Sequence, residues 1–238
     1  MSDEDKAVEA SYREIVGSLM WVANQTRPNI ANAIRAAARL LHDPGEVHVK
    51  AARKIIKYLS GTTYLNLTFR KDSKLQDVQL EYDLETYVDS AYAHKADDRR
   101  LVSGAAVCCG VSLVSWFSRT QKSFTLSTTE AEYVVMADRV KESLHVRGLV
   151  VFLMPNLGSP SIGVFEDNKG ATDFAETLSA HRTLRTSMQG TIFCVSWCGR
   201  EIDRFKYPRT EDQREDILTK AIGKESFEKR CQFILGIQ

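Results

Sequence analysis

Hydrophobic positions in the first sixty residues recur at helical spacing. Ile15, Val16, Leu19 and Met20 open the pattern, Ile30, Ala33, Ile34, Ala37 and Leu41 repeat it, and Val47, Ala51, Ile55 and Leu59 make a third run. Thr26-Arg27-Pro28 separates the first two runs with a proline suited to a helix's first turn, and Asp43-Pro44-Gly45 breaks the second from the third. Three helices are therefore expected between Tyr12 and Ser60, after a disordered lead-in at residues 1–11. From Thr62 the period becomes two. Leu65, Leu67 and Phe69 alternate with polar residues, and after a polar turn Leu80, Tyr82, Leu84, Thr86 and Val88 do so again. Further strands are expected at Val102–Cys109 and Val111–Ser118, then a helix over 128–147 and a short strand at Ser161–Phe165. A helix from near Lys169, an irregular helix over 180–198, a strand around Ile202–Tyr207 and a final helix through Lys220 complete the order. Strands first and then alternation predict an α/β fold, a mixed sheet with helices packed on it.

Composition narrows the picture little. The 238 residues suffice for a medium domain and a smaller unit, and 43% hydrophobic with 26% charged residues describes a globular chain. A formal charge of +1 is no basic signature, so any nucleic-acid argument rests on local patches. Arg35, Arg39, Lys50, Arg53, Lys54 and Lys57 form one such concentration, open to two readings: a solvated helix face or a phosphate-facing surface. No apolar run approaches a membrane span, and Met1–Ala10 is acidic and polar, unlike a signal peptide. Five cysteines, two of them adjacent at Cys108 and Cys109, fit reduced thiols inside a cell, so the expected location is intracellular, in cytoplasm or nucleus. Cys194 and Cys198 lack a second pair at zinc-site spacing.

The chemistry concentrates in acids. In LSTTEAEY, residues 126–133, Ser127 and Glu130 fit a capping box that opens the helix. Glu132 lies roughly 200° further round and shares a face with Met136 and Val140. A carboxylate on an apolar face is costly without a partner. Asp89 stands at the expected end of the strand finishing Tyr87-Val88, Asp167 where the Ser161–Phe165 strand stops, and Asp216 early in a final helix opened by a second capping box at Thr210 and Gln213. Four acids converging above a sheet repel one another unless a cation neutralises them, and oxygen-only ligation suits a hard cation such as Mg²⁺.

The words around these acids carry a resemblance. LSTTEAEY, VFEDNKGA (164–171) and REDILTK (214–220) resemble the ribonuclease H domain of Ty1/copia-type retrotransposon Pol polyproteins, as do YVDSAYA (87–93) and SWFSRTQKSFTLSTTEAEY (115–133). YREIVGSLMWVANQTRPNIANAI (12–34) and KAARKIIKYLSGTTYLNLTF (50–69) resemble the segment before it, the end of the reverse transcriptase region. The likeness implies a reverse transcriptase thumb or connection remnant over 12–72, a ribonuclease H-like five-stranded mixed sheet flanked by helices over 80–225, and a C-terminal tail helix over 226–238. It implies catalytic and metal-ligating roles for Asp89, Glu132, Asp167 and Asp216, two Mg²⁺ ions with Mn²⁺ as a substitute, and hydrolysis of RNA in an RNA–DNA hybrid. By position it makes Asn168, Arg99, Arg100, Arg119 and Lys122 candidate nucleic-acid contacts, the arginines and lysine in loops flanking the carboxylates. Other parts of a Pol polyprotein, reverse transcriptase included, are the implied partners. The polymerase motif YVDD is absent, so polymerisation is not expected.

Three tracts depart from the family. Its D-A-D-W-A is here Asp89-Ser90-Ala91-Tyr92-Ala93, its T-K-H-I-D is Thr183-Leu184-Arg185-Thr186-Ser187, and its Y-V-P-T is Tyr207-Pro208-Arg209-Thr210. These substitutions keep a second reading open, a catalytically inactive nucleic-acid-binding fragment.

Overall fold

The computed structural model describes residues 3–70, 83–92, 101–120, 128–166, 204–206 and 215–237, without the side chains of 3–10, 90–92, 101, 128–139, 157 and 204–206. The expected helices near 169 and over 180–198, and the capping residues Ser127, Thr210 and Gln213, lie outside the described residues.

Three helices come first: α1 (Asp3–Gln25), α2 (Ala31–Ala38) and α3 (Glu46–Gly61). Helix α1 starts at Asp3, so residues 3–11, expected as a disordered lead-in, continue the helix instead. Pro28 opens a short 3₁₀ turn before α2, where a missing N–H costs nothing. At the break after Pro44, Gly45 caps α3 and its N–H donates to Nδ1 of His48 at 2.9 Å. The helices pack through two apolar clusters, one of Tyr12, Val16, Ala37 and Ala52, the other of Leu19, Ala23, Ile30 and Ile34. The inward stripe of α3 keeps Ile55 and Leu59 of the expected one, while Val47 and Ala51 face outward. Ala52 is fully buried, packed with Tyr12 and Val16 of α1, while Val47 is 75% exposed. Arg27 fastens α1 to the end of α3, donating to the carbonyl (3.1 Å) and hydroxyl (2.7 Å) of Thr62.

The sheet has five strands: β1 (Leu84–Tyr92), β2 (Leu101–Cys109), β3 (Ser112–Thr120), β4 (Ile162–Glu166) and β5 (Arg204–Lys206). Their order is β3-β2-β1-β4-β5, with the first three antiparallel and β1, β4 and β5 parallel. This is the five-stranded mixed sheet that the resemblance implies. Two details differ from expectation. The alternating stretch Leu65–Phe69 forms no strand; it is a single extended pass in which Thr68 N–H donates to the Leu235 carbonyl at 2.8 Å, Leu65 and Leu67 pack on the core, and Phe69 remains exposed. Strand β1 runs on to Tyr92, because β2 pairs with it over its whole length.

Alternation along β1 divides its side chains between two layers. Thr86 faces α4 (Thr128–Leu153), its hydroxyl 2.5 Å from that of Ser143. Tyr87 faces the other side, stacked on Phe165 at 4.7 Å and meeting Phe233 edge-on at 5.5 Å. That second layer holds an apolar cluster built around Tyr87, Leu113, Leu218, Ile234 and Leu235, with Ala31 of α2 among its members. The helix expected through Lys220 is a one-turn α5 (Asp216–Thr219), and α6 (Lys224–Ile234) follows it where a tail helix over 226–238 is implied, the two separated where Lys220 takes an extended backbone (φ −113°, ψ 151°). Helix α6 ends on Gly236 at φ +68°, where its N–H and that of Ile237 return to the Phe233 and Gln232 carbonyls. A side chain at Gly236 would also strike the Thr68 carbonyl, at 2.6 Å.

Candidate active site

Asp89 sits inside β1, two-thirds of the way along, rather than at its end, and pairs in register with Gly104 of β2. That glycine is a contact requirement. A Cβ there would meet Thr219 Cγ2 at 2.6 Å and Leu218 Cβ at 2.8 Å, so the bare backbone lets α5 lie directly on the sheet. The close approach delivers the hydroxyl of Thr219 to Asp89, to whose Oδ2 it donates. It also brings Asp216, the first residue of α5, to the same corner.

The two aspartates share a cation. Lys220 Nζ lies 3.3 Å from Oδ1 of Asp89 and 2.7 Å from Oδ1 of Asp216. Arg230 of α6 donates to Oδ2 of Asp216 at 2.7 Å. Asp89 is 1% exposed and Asp216 7%, so both charges are held in a poorly solvated place where a paired cation matters most. Glu166 and Glu215, each preceding one of the expected acids, are buried as well. The donors that converge are hard carboxylate oxygens, the type that Mg²⁺ takes, and the ammonium between them marks a place where one positive centre reaches both. The donor chemistry fits such an ion. Among the described residues no group of three or more ligating side chains forms.

Of the other residues singled out from sequence, Glu132 lies on α4, but its side chain is outside the described ones. Val140, expected on its face, is buried at 2%, and so is Ser143 one turn on. Asp167, Asn168, Arg99, Arg100 and Lys122 lie outside the described residues. Arg119 is not in a loop beside the carboxylates. The β2–β3 ladder continues through Ser103 and Val102, which places Arg119 in strand β3, exposed, with its guanidinium 5.5 Å from the Phe117 ring centre. Sequence reasoning missed Thr219, Lys220, Arg230 and Gly104. The first two stand within the REDILTK motif and carry a readable signal, a hydroxyl and a cation on the turn after an acid. Arg230, fourteen residues beyond Asp216, carries none.

The basic helices divide. Lys50, Arg53, Lys54 and Lys57 are exposed on α3, and Lys50 pairs with Glu46 at 2.9 Å, a solvated face. Arg35 is different: its guanidinium donates to Thr120 Oγ1 at 2.9 Å and to Asn32 Oδ1 at 2.8 Å. Burial first, and then the charge of Arg39, hold it below the ordinary guanidinium range. Cys108, Cys109 and Cys231 form no disulfide, with Cys108 buried and Cys109 half-buried, as alternation along a strand requires. Among the described residues no helix is long and apolar enough to cross a membrane.

No family model matches the chain. It is 31% identical over 217 residues to the "Retrovirus-related Pol polyprotein from transposon RE1" of Arabidopsis thaliana, covering 91% of this chain and 14% of that protein. It is 28% identical to the "Retrovirus-related Pol polyprotein from transposon TNT 1-94" of Nicotiana tabacum, covering 100% of this chain and 17% of that one. The chain thus spans about a sixth of the length of these relatives. Among solved structures, the N-terminal RNase H domain of rv2228c from Mycobacterium tuberculosis matches 63% of this chain and 97% of its own, at 13% identity and a TM-score of 0.40. Over nine-tenths of its length, then, the chain is homologous to a segment of the retrovirus-related Pol polyproteins of copia-type retrotransposons.

Proposed function

We propose that this chain is a ribonuclease H-type endonuclease that hydrolyses the RNA strand of RNA–DNA hybrids. The observation that carries the reading is the meeting of Asp89 and Asp216, from a central strand and a separate helix, around one positive centre. Two acids so far apart in sequence gain nothing from approaching unless a cation uses them. In this reading Asp89, Asp216, Glu132 and Asp167 would hold divalent ions, Mg²⁺ or Mn²⁺. When bound, such ions supply the Lewis acidity that activates water and stabilises the departing oxygen.

The chain's own residues set the stage for that reaction. Thr219 orients Asp89 through its hydroxyl, so that one carboxylate oxygen is committed and the other is directed at the shared centre. Arg230 fixes Asp216 in the same manner through Oδ2, leaving Oδ1 to face Asp89. Lys220, with a partly exposed side chain, spans the two carboxylates, at the position where a bound divalent ion would be held by the same oxygens. Asn168, Arg99, Arg100 and Lys122 remain proposed contacts to the hybrid, in which 2′-hydroxyls distinguish the RNA strand. The remaining Pol polyprotein, reverse transcriptase included, is the proposed partner, and an intracellular compartment the proposed location.

The test is cleavage of an end-labelled RNA–DNA hybrid in Mg²⁺ by the wild-type chain and by Asp89→Asn. Metal-dependent cleavage by the first alone is expected. Tight hybrid binding with the same background turnover from both proteins would replace this reading with that of an inactive binding fragment, which the substituted tract Arg185–Ser187 motivates.

A further inference from the structure

A four-residue helix has too few internal hydrogen bonds to hold itself in place, so α5 stands where its neighbours put it. The sheet receives it on one side, at Gly104. Helix α2 receives it on another. Ala31 shares an apolar cluster with Ile217 and Leu218, and the side-chain amide of Asn32 donates to the Lys220 carbonyl at 2.9 Å. Lys220 is the residue at which α5 ends. Its own N–H returns to the Asp216 carbonyl at 2.8 Å, and its backbone is extended. Both polar groups of its main chain are thereby held, one by α5 itself and one by α2.

The Asn32 amide is oriented in its turn. Arg35, one turn along α2, donates to Asn32 Oδ1 through Nε at 3.2 Å and through Nη2 at 2.8 Å, and its Nη1 donates to Thr120 Oγ1 of β3 at 2.9 Å. A guanidinium only donates, so it takes the amide oxygen and leaves the amide nitrogen to face the Lys220 carbonyl. A chain of bonds thus runs from β3 through Arg35 and Asn32 to the main chain from which the Lys220 ammonium reaches Asp89 and Asp216.

We infer that Asn32, oriented by Arg35, is a positioning residue of the acid corner: by fixing the Lys220 main chain it places the ammonium between the two aspartates, and so limits how tightly the corner takes a divalent ion. The inference rests on the function proposed above for that corner. A lysine ammonium rides on a flexible four-carbon stem, and holding it on two carboxylates costs less freedom when the root of the stem is already fixed. The ammonium and a divalent ion draw on the same Oδ1 atoms of Asp89 and Asp216, so a firmer hold by one weakens the other by mass action. Releasing the Lys220 carbonyl costs the fold little, because water can replace Asn32 at this half-buried place, but it loosens the ammonium.

The experiment titrates Mn²⁺ into the full chain without nucleic acid and reads the free ion by electron paramagnetic resonance. The corner's share is the binding that Asp89→Asn removes. Wild type, Asn32→Ala, Lys220→Met and the double variant are compared. Asn32→Ala should tighten that binding by roughly three- to tenfold, the scale of one hydrogen bond. Lys220→Met should tighten it by more than about tenfold, since it removes a like charge from the site. In the double variant the effect of Asn32→Ala should vanish, because Lys220→Met keeps the carbonyl and discards the ammonium. A merely structural Asn32 would lower the melting temperature in both backgrounds and leave each ion affinity where it was, and that result would overturn the inference. Equal tightening in both backgrounds would overturn it too, since the effect would then not pass through Lys220. Should Lys220→Met fail to fold, the ammonium is followed directly in a chain carrying ¹³C at lysine Cε. The charge-keeping Lys220→Arg identifies the Lys220 signal by its loss, Asn32→Ala should shift that signal, and an unshifted signal would overturn the inference. If Asp89→Asn removes no Mn²⁺ binding, the ion reading of the corner falls and the inference with it. Binding at the corner that ignores Asn32→Ala sinks the inference alone.

Discussion

The acid corner and the arginines gathered at β3 lie two strands apart on one sheet and are built in opposite ways. Asp89 and Asp216 are buried, each held by two named side chains, and pressed into place by a helix turn that only a glycine admits. Arg39 and Arg119 are exposed, and Arg35 donates to Thr120 and Asn32. A reacting centre needs its charges fixed before the substrate arrives, because reorganisation during the reaction costs rate. Exposed charges face no such demand, because water and salt screen them. Substitutions at the corner should therefore change turnover.

The largest effect is expected from Asp89→Asn, or from Glu132→Gln. Either should cut Mg²⁺-dependent cleavage by roughly a thousandfold or more, the scale of losing one electrostatic element of a reacting centre. Hybrid binding measured by anisotropy should survive, and a parallel loss of both would show damage beyond the corner. Gly104→Ala comes next. Its methyl group collides with Thr219 and Leu218, so it should lower stability by about 1–3 kcal/mol and displace α5, reducing cleavage with the melting temperature. An alanine chain that melts and cleaves like wild type would show that α5 does not need this close approach. Arg230→Met removes a charge-assisted bond between two mostly buried groups, worth about 1.5–3 kcal/mol. Chemical denaturation should register that loss, together with a weaker response of the melting temperature to added Mg²⁺. Asn32→Ala is smaller still, roughly a three- to tenfold change in Mn²⁺ affinity that should vanish beside Lys220→Met. Glu130→Gln should do least of all, because glutamine also serves a capping box, and cleavage within about twofold of wild type is the expected result. Matching behaviour of the Glu130 and Glu132 variants would contradict the division of labour between them.

Much of the fold was legible because it repeats. The helical runs of α1 and α2, the hairpin of β2 and β3, the long α4 and the short β4 each carry a period that survives in one dimension. Reading failed where a neighbour elsewhere in the chain decided. Leu65–Phe69 alternates like a strand, yet its backbone meets the end of α6 and no sheet edge. Val47 has the spacing of a buried residue, yet it is exposed while Ala52 is buried against α1. In the candidate site, Asp89 and Asp216 were visible as acids at element ends, although β1 proved longer and α5 shorter than the pattern predicts. Arg119 was visible as a charge, but the ladder of β2 draws it into a strand and toward Arg35 and Arg39.

By itself the sequence determined the types of most described elements, their order and which acids are candidates for the site, since periodicity and side-chain identity are local properties. Only the tertiary structure decided that Lys220 stands between Asp89 and Asp216, that Gly104 is the seat for α5, and that Asn32 of α2 meets the Lys220 carbonyl. Those are meetings between residues as much as 188 positions apart, here the Asn32–Lys220 pair. Packing of whole layers fixes such meetings, and no stretch of the chain contains the information for them on its own.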